Sequence, residues 1–124
     1  MCPAAANSVS ADVVNAMTVD VEDYFQVSAF ETHVEKAQWH TLPRRVEANT
    51  LRILDLFAEN QVRGTFFTLG WVAERYPELV KRIVSAGHEI ASHGWEHVRV
   101  STQTPAEFRR DVERTRKLLQ DLSG

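Results

Sequence analysis

Two carboxylates and two imidazoles stand where two predicted strands end, and side chains of these types bind metal ions. Asp20 and Glu22 close a β-branched stretch, and His93 and His97 directly follow a later strand. Side chains two apart on a strand point the same way, and polar groups at the carboxyl ends of parallel strands meet on one face. The pattern therefore predicts a metal site with a spare carboxylate that can act as a base.

The spacing of the two histidines strengthens this prediction. On a helical turn, imidazoles four residues apart project together and can bind one ion. A pair with this spacing is also typical of surface or capping histidines, but Gly94 allows a tight turn after the strand and Trp95 can exclude water. The single cysteine, Cys2, has no partner, so any metal must be held by histidine and carboxylate.

The same segment also fits a second chemistry. His93-Gly-Trp-Glu96-His97 matches HxxEH, the pattern of a zinc metallopeptidase in which the glutamate is the general base. That pattern requires a long helix, whereas a strand runs directly into this segment and Gly94 weakens a helix there. A serine nucleophile is disfavoured because Ser92 lies in no GxSxG elbow.

The elements that would position these residues alternate between strand and helix. The apolar stretch of residues 13–21 predicts a buried strand, and residues 24–41 show no clean period and indicate a long loop. A loop of that length in a small domain is usually functional or mobile. Thr41 is the predicted cap of a helix that ends near Asn60. Two later strands are predicted, at residues 64–69 and 88–92.

Two further helical signals flank the third strand. Residues 72–84 carry one apolar face, but Pro77 inside them predicts a break and a fresh helix start, with Gly87 ending that helix. Thr104 and Glu107 form a capping box that opens a final helix. Its predicted inward positions are Phe108, Val112, Thr115, Leu119 and Leu122.

Three βα units imply an α/β fold in which parallel strands are covered by helices, with right-handed crossovers. A complete eight-stranded barrel takes about 250 residues, whereas this chain has 124. Three units leave a sheet edge open, so the sequence predicts a minimal α/β layer, a layer that pairs with another chain, or a fragment of a barrel. Residues 1–124 are expected to form a single, incomplete domain.

Charge and hydropathy exclude several partners. The net charge is −3 and no Lys or Arg precedes Lys36, so the concentrated basic face that nucleic acid requires is not expected. No apolar run approaches the roughly 20 residues that span a bilayer, so no membrane span is predicted. The early segment lacks the basic start of a signal peptide, and a cytoplasmic location is the expectation.

Three separated stretches carry a family resemblance. They are TVDVEDYF (18–25), GTFFTLG (64–70) and PELVKRIVSAGHEIASHGWEH (77–97). They resemble the NodB-homology polysaccharide deacetylases, carbohydrate esterase family four. The forms VDVEDYF and SHGWEH resemble the branch associated with exopolysaccharide and exosortase loci. The resemblance implies the N-terminal portion, about three βα units, of a distorted (β/α) barrel with parallel strands. It also implies metal-dependent removal of acetyl groups from N-acetylhexosamine units of a polysaccharide.

The resemblance also implies roles for single residues. Asp20 matches the general base of the family's opening motif, and His93 and His97 match its metal-binding histidines. Valine replaces the family's second aspartate, so the metal carboxylate is Glu22 or Asp23, and strand alternation favours Glu22. The implied ion is divalent, with Zn²⁺ first and Co²⁺ or Fe²⁺ as alternatives.

The resemblance covers only the first half of the family's domain. The family's later arginine, groove-wall residues and final catalytic histidine would fall beyond residue 124, so the chain alone is expected to be inactive or nearly so. Within the histidine motif, Gly94 stands where the family has serine or threonine. The alternative function is a catalytically incomplete carbohydrate-binding fragment, in which Trp39 and Trp95 contact the sugar.

Overall fold

The described part of the chain, residues 15–124 of a computed structural model, contains a three-stranded parallel sheet. Its strands are β1 (Thr18–Val21), β2 (Thr65–Thr68) and β3 (Glu89–Ser92), in the order β1-β2-β3. Val21 pairs with Thr68, and Thr68 pairs with Ser92, so the three carboxyl ends lie side by side. The predicted α/β fold with parallel strands is confirmed.

The first strand is shorter than the sequence predicts within the described residues. β1 begins at Thr18, and residues 15–17 before it are not in a strand. Cys2, Val13 and Val14 lie outside the described residues, so the predictions made for them are not addressed by the structure.

Helices occupy the connections between the strands. α1 (Val46–Glu59) joins β1 to β2, α2 (Gly70–Arg75) and α3 (Pro77–Ser85) join β2 to β3, and α4 (Pro105–Ser123) follows β3. The predicted break at Pro77 is confirmed, because proline lacks a backbone N–H and is tolerated in the first turn of a helix. Gly87, with a φ of 81°, follows the end of α3 in the conformation that favours glycine. None of the helices in residues 15–124 is both long and apolar enough to cross a membrane.

α1 begins later than predicted because its cap comes from a distant residue. The sequence predicts a start capped by Thr41, but the first helical residue is Val46 and no neighbouring side chain caps it. The Asp23 carboxylate accepts hydrogen bonds from the backbone N–H groups of Arg45, at 3.0 and 3.1 Å, and of Val46, at 3.2 Å. An acceptor at a helix N-terminus satisfies donors that the helix itself leaves unpaired.

α4 begins with the predicted capping box, but its buried face is rotated relative to the predicted one. Thr115 and Leu119 are buried as predicted, whereas Phe108 and Val112 are 42% and 37% exposed, so their predicted inward positions are wrong. Asp111 takes the inward position in that turn, and its carboxylate accepts hydrogen bonds from the loop after β3. A polar side chain at an inward position cannot be found from an apolar pattern.

The main hydrophobic core lies between the sheet and helices α1 to α3. Its buried members are Val21, Phe25, Trp39, Val46, Leu54, Phe57, Phe66, Leu69, Trp71, Val72, Leu79 and Ile83. The rings of Phe25, Trp39 and Trp71 contact one another, with centroids 5.7, 6.2 and 5.6 Å apart. Phe25 and Trp39 belong to the long segment 24–41, so these contacts fix that segment against α2.

Candidate metal centre

Glu22 lies directly after β1 and turns its carboxylate toward the two histidines that follow β3. Glu22 Oε2 lies 3.5 Å from His93 Nε2 and 3.4 Å from His97 Nε2. One ligand atom from each of the three residues lies within 4.8 Å of the other two. The carboxyl ends of the parallel strands thus bring together one carboxylate and two imidazoles that are far apart in the sequence.

These three side chains fit a divalent metal ion. Glu22 Oε2 and His93 Nε2 are buried and have no hydrogen-bond partner within the described part of the chain. Buried polar atoms are nearly always paired, so two unpaired ligand atoms at this separation fit an ion as their common partner. Two imidazole nitrogens and one carboxylate oxygen form a donor set that suits Zn²⁺, Co²⁺ and Fe²⁺.

Asp20 lies beside this cluster. It precedes Glu22 by two residues, and its Oδ2 is 4.0 Å from His93 Nε2. The Asp20 side chain is 56% exposed, whereas that of Glu22 is 12% exposed. The site therefore combines a partly buried carboxylate with a solvent-exposed one.

The charges around His93 favour its protonated form in the metal-free chain. The contact with the Glu22 carboxylate raises the pKa of His93 above its ordinary value; partial burial opposes this rise, and the Asp20 charge adds to it. Histidine binds metal through a deprotonated nitrogen, so a metal ion and a proton compete for His93. Metal binding at this site should therefore release protons and tighten as the pH rises.

Asp23, the other carboxylate that the sequence left open as a metal ligand, lies outside the cluster. Asp23 is 2% exposed, and its carboxylate accepts hydrogen bonds from the backbone at the start of α1. Successive side chains in extended backbone point in opposite directions. The Glu22 side chain therefore faces the histidines, and the Asp23 side chain faces the start of α1. Of the two carboxylates that the sequence left open, Glu22 lies beside the histidines, whereas the oxygens of Asp23 are engaged by the start of α1.

The two histidines converge through a tight turn after β3 rather than through a turn of helix. Residues 93–97, here called the histidine loop, contain no helix, and Gly94 and His97 have φ values of 77° and 58°. A positive φ is uncommon for residues other than glycine, so surrounding contacts must hold His97. The metallopeptidase alternative loses its support, because HxxEH needs a helix and Glu96 pairs instead with Lys36 at 3.1 Å.

Ser28, from the long segment after β1, also contacts the site. Its hydroxyl lies 3.5 Å from Nδ1 of His97, the ring nitrogen that does not face Glu22. A cavity of about 120 Å³ lies beside His97, between residues 25–39 and residues 96–98. Sequence reasoning missed Ser28 because only the fold brings it to a histidine 69 positions away, and no local pattern marks it.

Comparison with known proteins identifies the family. The family described as polysaccharide deacetylase matches residues 32–124, and the chain belongs to this family. The matched range includes His93 and His97 but begins after Asp20 and Glu22, so the case for the two carboxylates rests on the geometry of the site.

Three relatives illustrate the similarity. A peptidoglycan-N-acetylglucosamine deacetylase from Bacillus cereus is 37% identical over 75 residues, which are 60% of this chain and 27% of that protein. A chitooligosaccharide deacetylase from Sinorhizobium fredii is 45% identical over 65 residues, which are 52% of this chain and 28% of that protein. The solved structure of the Bc1960 peptidoglycan N-acetylglucosamine deacetylase matches with a TM-score of 0.66 at 29% identity, covering 88% of this chain and 41% of that one. The chain thus spans less than half the length of these relatives.

Proposed function

We propose that this protein is a metal-dependent polysaccharide deacetylase that hydrolyses the acetamide group of N-acetylhexosamine units. The observation that carries the proposal is the convergence of Glu22, His93 and His97, with Asp20 beside them, at the carboxyl ends of the strands. Membership of the polysaccharide deacetylase family supports the reaction class. The donor set supports Zn²⁺ as the first candidate ion, followed by Co²⁺ and Fe²⁺.

The site residues divide between ion binding and proton transfer. Glu22, His93 and His97 would hold the ion, which supplies a Lewis acid for the acetamide carbonyl and for water. Asp20 is exposed beside them, so its carboxylate can take the proton of the attacking water, a contribution of about 10²–10⁴-fold. The water oxygen bonds to the carbonyl carbon while one of its protons passes to Asp20, the C–N bond breaks, acetate leaves and the sugar amine takes a proton from solvent.

The proposed substrate class is an N-acetylated polysaccharide. The relatives are named for N-acetylglucosamine in peptidoglycan and for chitooligosaccharide. The forms VDVEDYF and SHGWEH of this chain resemble the exopolysaccharide- and exosortase-associated branch. That resemblance supports an exopolysaccharide, or another polymer of the cell envelope, as the natural substrate.

Acetate release from N-acetylglucosamine oligomers tests the proposal, measured on a protein in which this chain is joined to the later part of the family's domain. We expect release to stop when a chelator removes the ion and to return with Zn²⁺, Co²⁺ or Fe²⁺. Asp20→Asn should lower the rate about 10²–10⁴-fold without changing the metal content. Asp55→Asn, which alters an exposed carboxylate on α1, is the matched control and should retain the parent rate. Release that persists after chelation, or in Asp20→Asn at the parent rate, contradicts the mechanism.

The carbohydrate-binding alternative has less support from the fold. Trp39 and Trp95, the aromatic side chains expected to contact the sugar, are only 4% and 7% exposed. A sugar ring needs an accessible aromatic face, and these two rings are committed to packing within the protein. Sugar binding without metal-dependent acetate release would nevertheless favour this alternative over the deacetylase.

A further inference from the structure

The histidine loop needs support from outside itself. Gly94 and His97 have positive φ, so local backbone preferences do not produce the shape that brings His93 and His97 to Glu22. At its start the loop is bonded to the sheet, through the His93 N–H to the Thr68 carbonyl oxygen and the Gly94 N–H to Ser92 Oγ. The hydrogen bonds farther along come from two other elements, α2 and α4, and each element engages a different side of the loop backbone.

The N-terminus of α2 holds two carbonyl groups of the loop. The backbone N–H of Gly70 donates to the carbonyl oxygen of Gly94 at 2.9 Å, and that of Trp71 donates to the carbonyl oxygen of Trp95 at 3.0 Å. The first N–H groups of a helix have no partner within the helix, so these bonds satisfy both elements at once. They fix the carbonyl side of the loop.

α4 holds the N–H side of the loop through Asp111. The backbone N–H of Trp95, midway between the two histidines, donates to both carboxylate oxygens of Asp111 at 3.1 Å. Hydrogen bonds to an ionised acceptor are stronger than those between neutral groups. The fit is close, because a Cβ added to Gly94 would lie 3.0 Å from Asp111 Oδ2.

The Trp95 side chain packs the loop against α2 and α4. Its ring packs on Gly70 so tightly that a Cβ at that position has no room. The Arg114 guanidinium lies over the same ring, 3.2 Å from its centroid. α4 therefore contacts Trp95 twice, through the backbone by Asp111 and through the ring by Arg114.

We propose that Asp111 is a positioning residue for the metal site, because it holds the histidine loop in the conformation that directs His93 and His97 toward Glu22. Asp111 is not one of the three ligands and acts through the backbone of Trp95. The inference rests on the proposed metal-dependent function. Its test measures metal binding rather than deacetylation, so the two can fail separately.

The test compares two substitutions of Asp111 with one control on the same helix. Asp111→Leu removes the acceptor, whereas Asp111→Asn keeps an amide oxygen that can still accept from Trp95. Glu113→Leu removes an exposed carboxylate two residues away. For each full chain we would measure Zn²⁺ affinity by competition with a chromophoric chelator, the visible absorption of the Co²⁺ form, and thermal unfolding without metal.

The expected effect of Asp111→Leu is a loss of Zn²⁺ affinity of about 10–100-fold, the range typical of residues that orient metal ligands. The Co²⁺ spectrum of this variant should change as well, because the ligand geometry is no longer fixed. Asp111→Asn should keep most of the parent affinity and the parent spectrum. Glu113→Leu should leave both unchanged, and none of these comparisons depends on activity.

Parent-like affinity and spectrum in a folded Asp111→Leu overturn the proposal. An Asp111→Asn as impaired as Asp111→Leu also overturns it, because the negative charge rather than the hydrogen bond would then be responsible. If thermal unfolding shows that Asp111→Leu has lost its fold, Asp111→Ala takes its place. Loss of fold in both assigns Asp111 to general stability and overturns the positioning role. A parent chain that binds no divalent ion overturns this proposal together with the proposed function.

Discussion

The two segments that supply the candidate ligands are held in different ways. Glu22 follows β1 directly, and the pairing of β1 with β2 fixes the backbone that leads to it. The histidine loop keeps one such bond, from the His93 N–H to the carbonyl oxygen of Thr68 on β2, and beyond it depends on hydrogen bonds from α2 and α4. Strand geometry thus produces the carboxylate side of the site, whereas tertiary contacts produce the imidazole side. Substitutions should therefore affect the two sides differently.

Removal of the shared carboxylate should have the largest effect. Glu22→Ala deletes the oxygen that lies within 3.5 Å of both histidine rings. We expect Zn²⁺ affinity to fall by more than about 100-fold, the upper end for residues that only orient ligands. Thermal unfolding of the metal-free chain should change little, because β1 is held by strand pairing. Titration calorimetry measures the Zn²⁺ affinity. Tight zinc binding by this variant would show that Glu22 is not a ligand.

Asp23→Ala tests the neighbouring carboxylate and should show the opposite pattern. It removes a buried, charged acceptor for the backbone of Arg45 and Val46. We expect the free energy of unfolding to fall by about 1.5–3 kcal/mol, the usual worth of hydrogen bonds to a charged group. Zn²⁺ affinity of the folded protein should stay at the parent value. A denaturant titration and a zinc titration decide this, and a variant with normal stability but weak zinc binding would reverse the assignments of Glu22 and Asp23.

Gly94→Ala tests the imidazole side. A residue with a Cβ costs about 1–2 kcal/mol in the left-handed conformation, and the added Cβ would press on Asp111. We expect Zn²⁺ affinity to fall about tenfold, since each 1.4 kcal/mol is a factor of ten. Gly87→Ala is the control, because Gly87 has a similar φ of 81° but ends α3. The control should lower stability alone, and equal zinc affinities in the two variants would show that the loop needs no special backbone.

Substitution of His88, at the opposite end of β3 from the histidine loop, should have the smallest effect, a change in how stability depends on pH. Its Nδ1 accepts the backbone N–H of Gly64 at 3.2 Å. Burial lowers the pKa of His88 below its ordinary value, and the charge of Arg63 lowers it further. Neutral His88 therefore makes its full contribution to the free energy of unfolding above about pH 6.5. This contribution is lost as the pH falls below that value.

His88→Asn tests the direction of this pH dependence. In the metal-free chain, acidification from about pH 7.5 to about pH 5.5, across the ordinary histidine pKa of about 6.5, should lower the free energy of unfolding less in the variant than in the parent. The opposite contribution of His93, whose pKa is raised, is present in both proteins and cancels in the difference. Identical pH profiles in parallel denaturant titrations would contradict a lowered pKa for His88.

Features that depend on local periodicity could be predicted from the sequence. The two-residue alternation of a strand places Asp20 and Glu22 on one side of β1, and both lie near His93. The break at Pro77 and the capping box before α4 likewise follow from residues a few positions apart. In each case the physical cause acts within one turn of helix or one step of strand.

Features that depend on distant hydrogen bonds could not be predicted in this way. The start of α1 is set by Asp23, 23 residues before it in the chain. The shape of the histidine loop depends on α2 and on Asp111, which lies 16 residues after Trp95 in the chain. In that turn of α4, Asp111 is partly buried, whereas Phe108 and Val112 are exposed. A bond between remote segments leaves no trace in local composition.

The bonds from α2 to the histidine loop also make these two segments a single unit of hydrogen exchange. α2 has six residues and no capping side chain, so the amide protons of Gly70 and Trp71 are shielded by the loop carbonyl groups. Those protons should exchange with deuterium in step with the Trp95 amide, at a rate set by one local opening event. The amide exchange rates of Gly70 and Trp71 therefore measure how often the ligand arrangement opens, although α2 itself supplies no ligand.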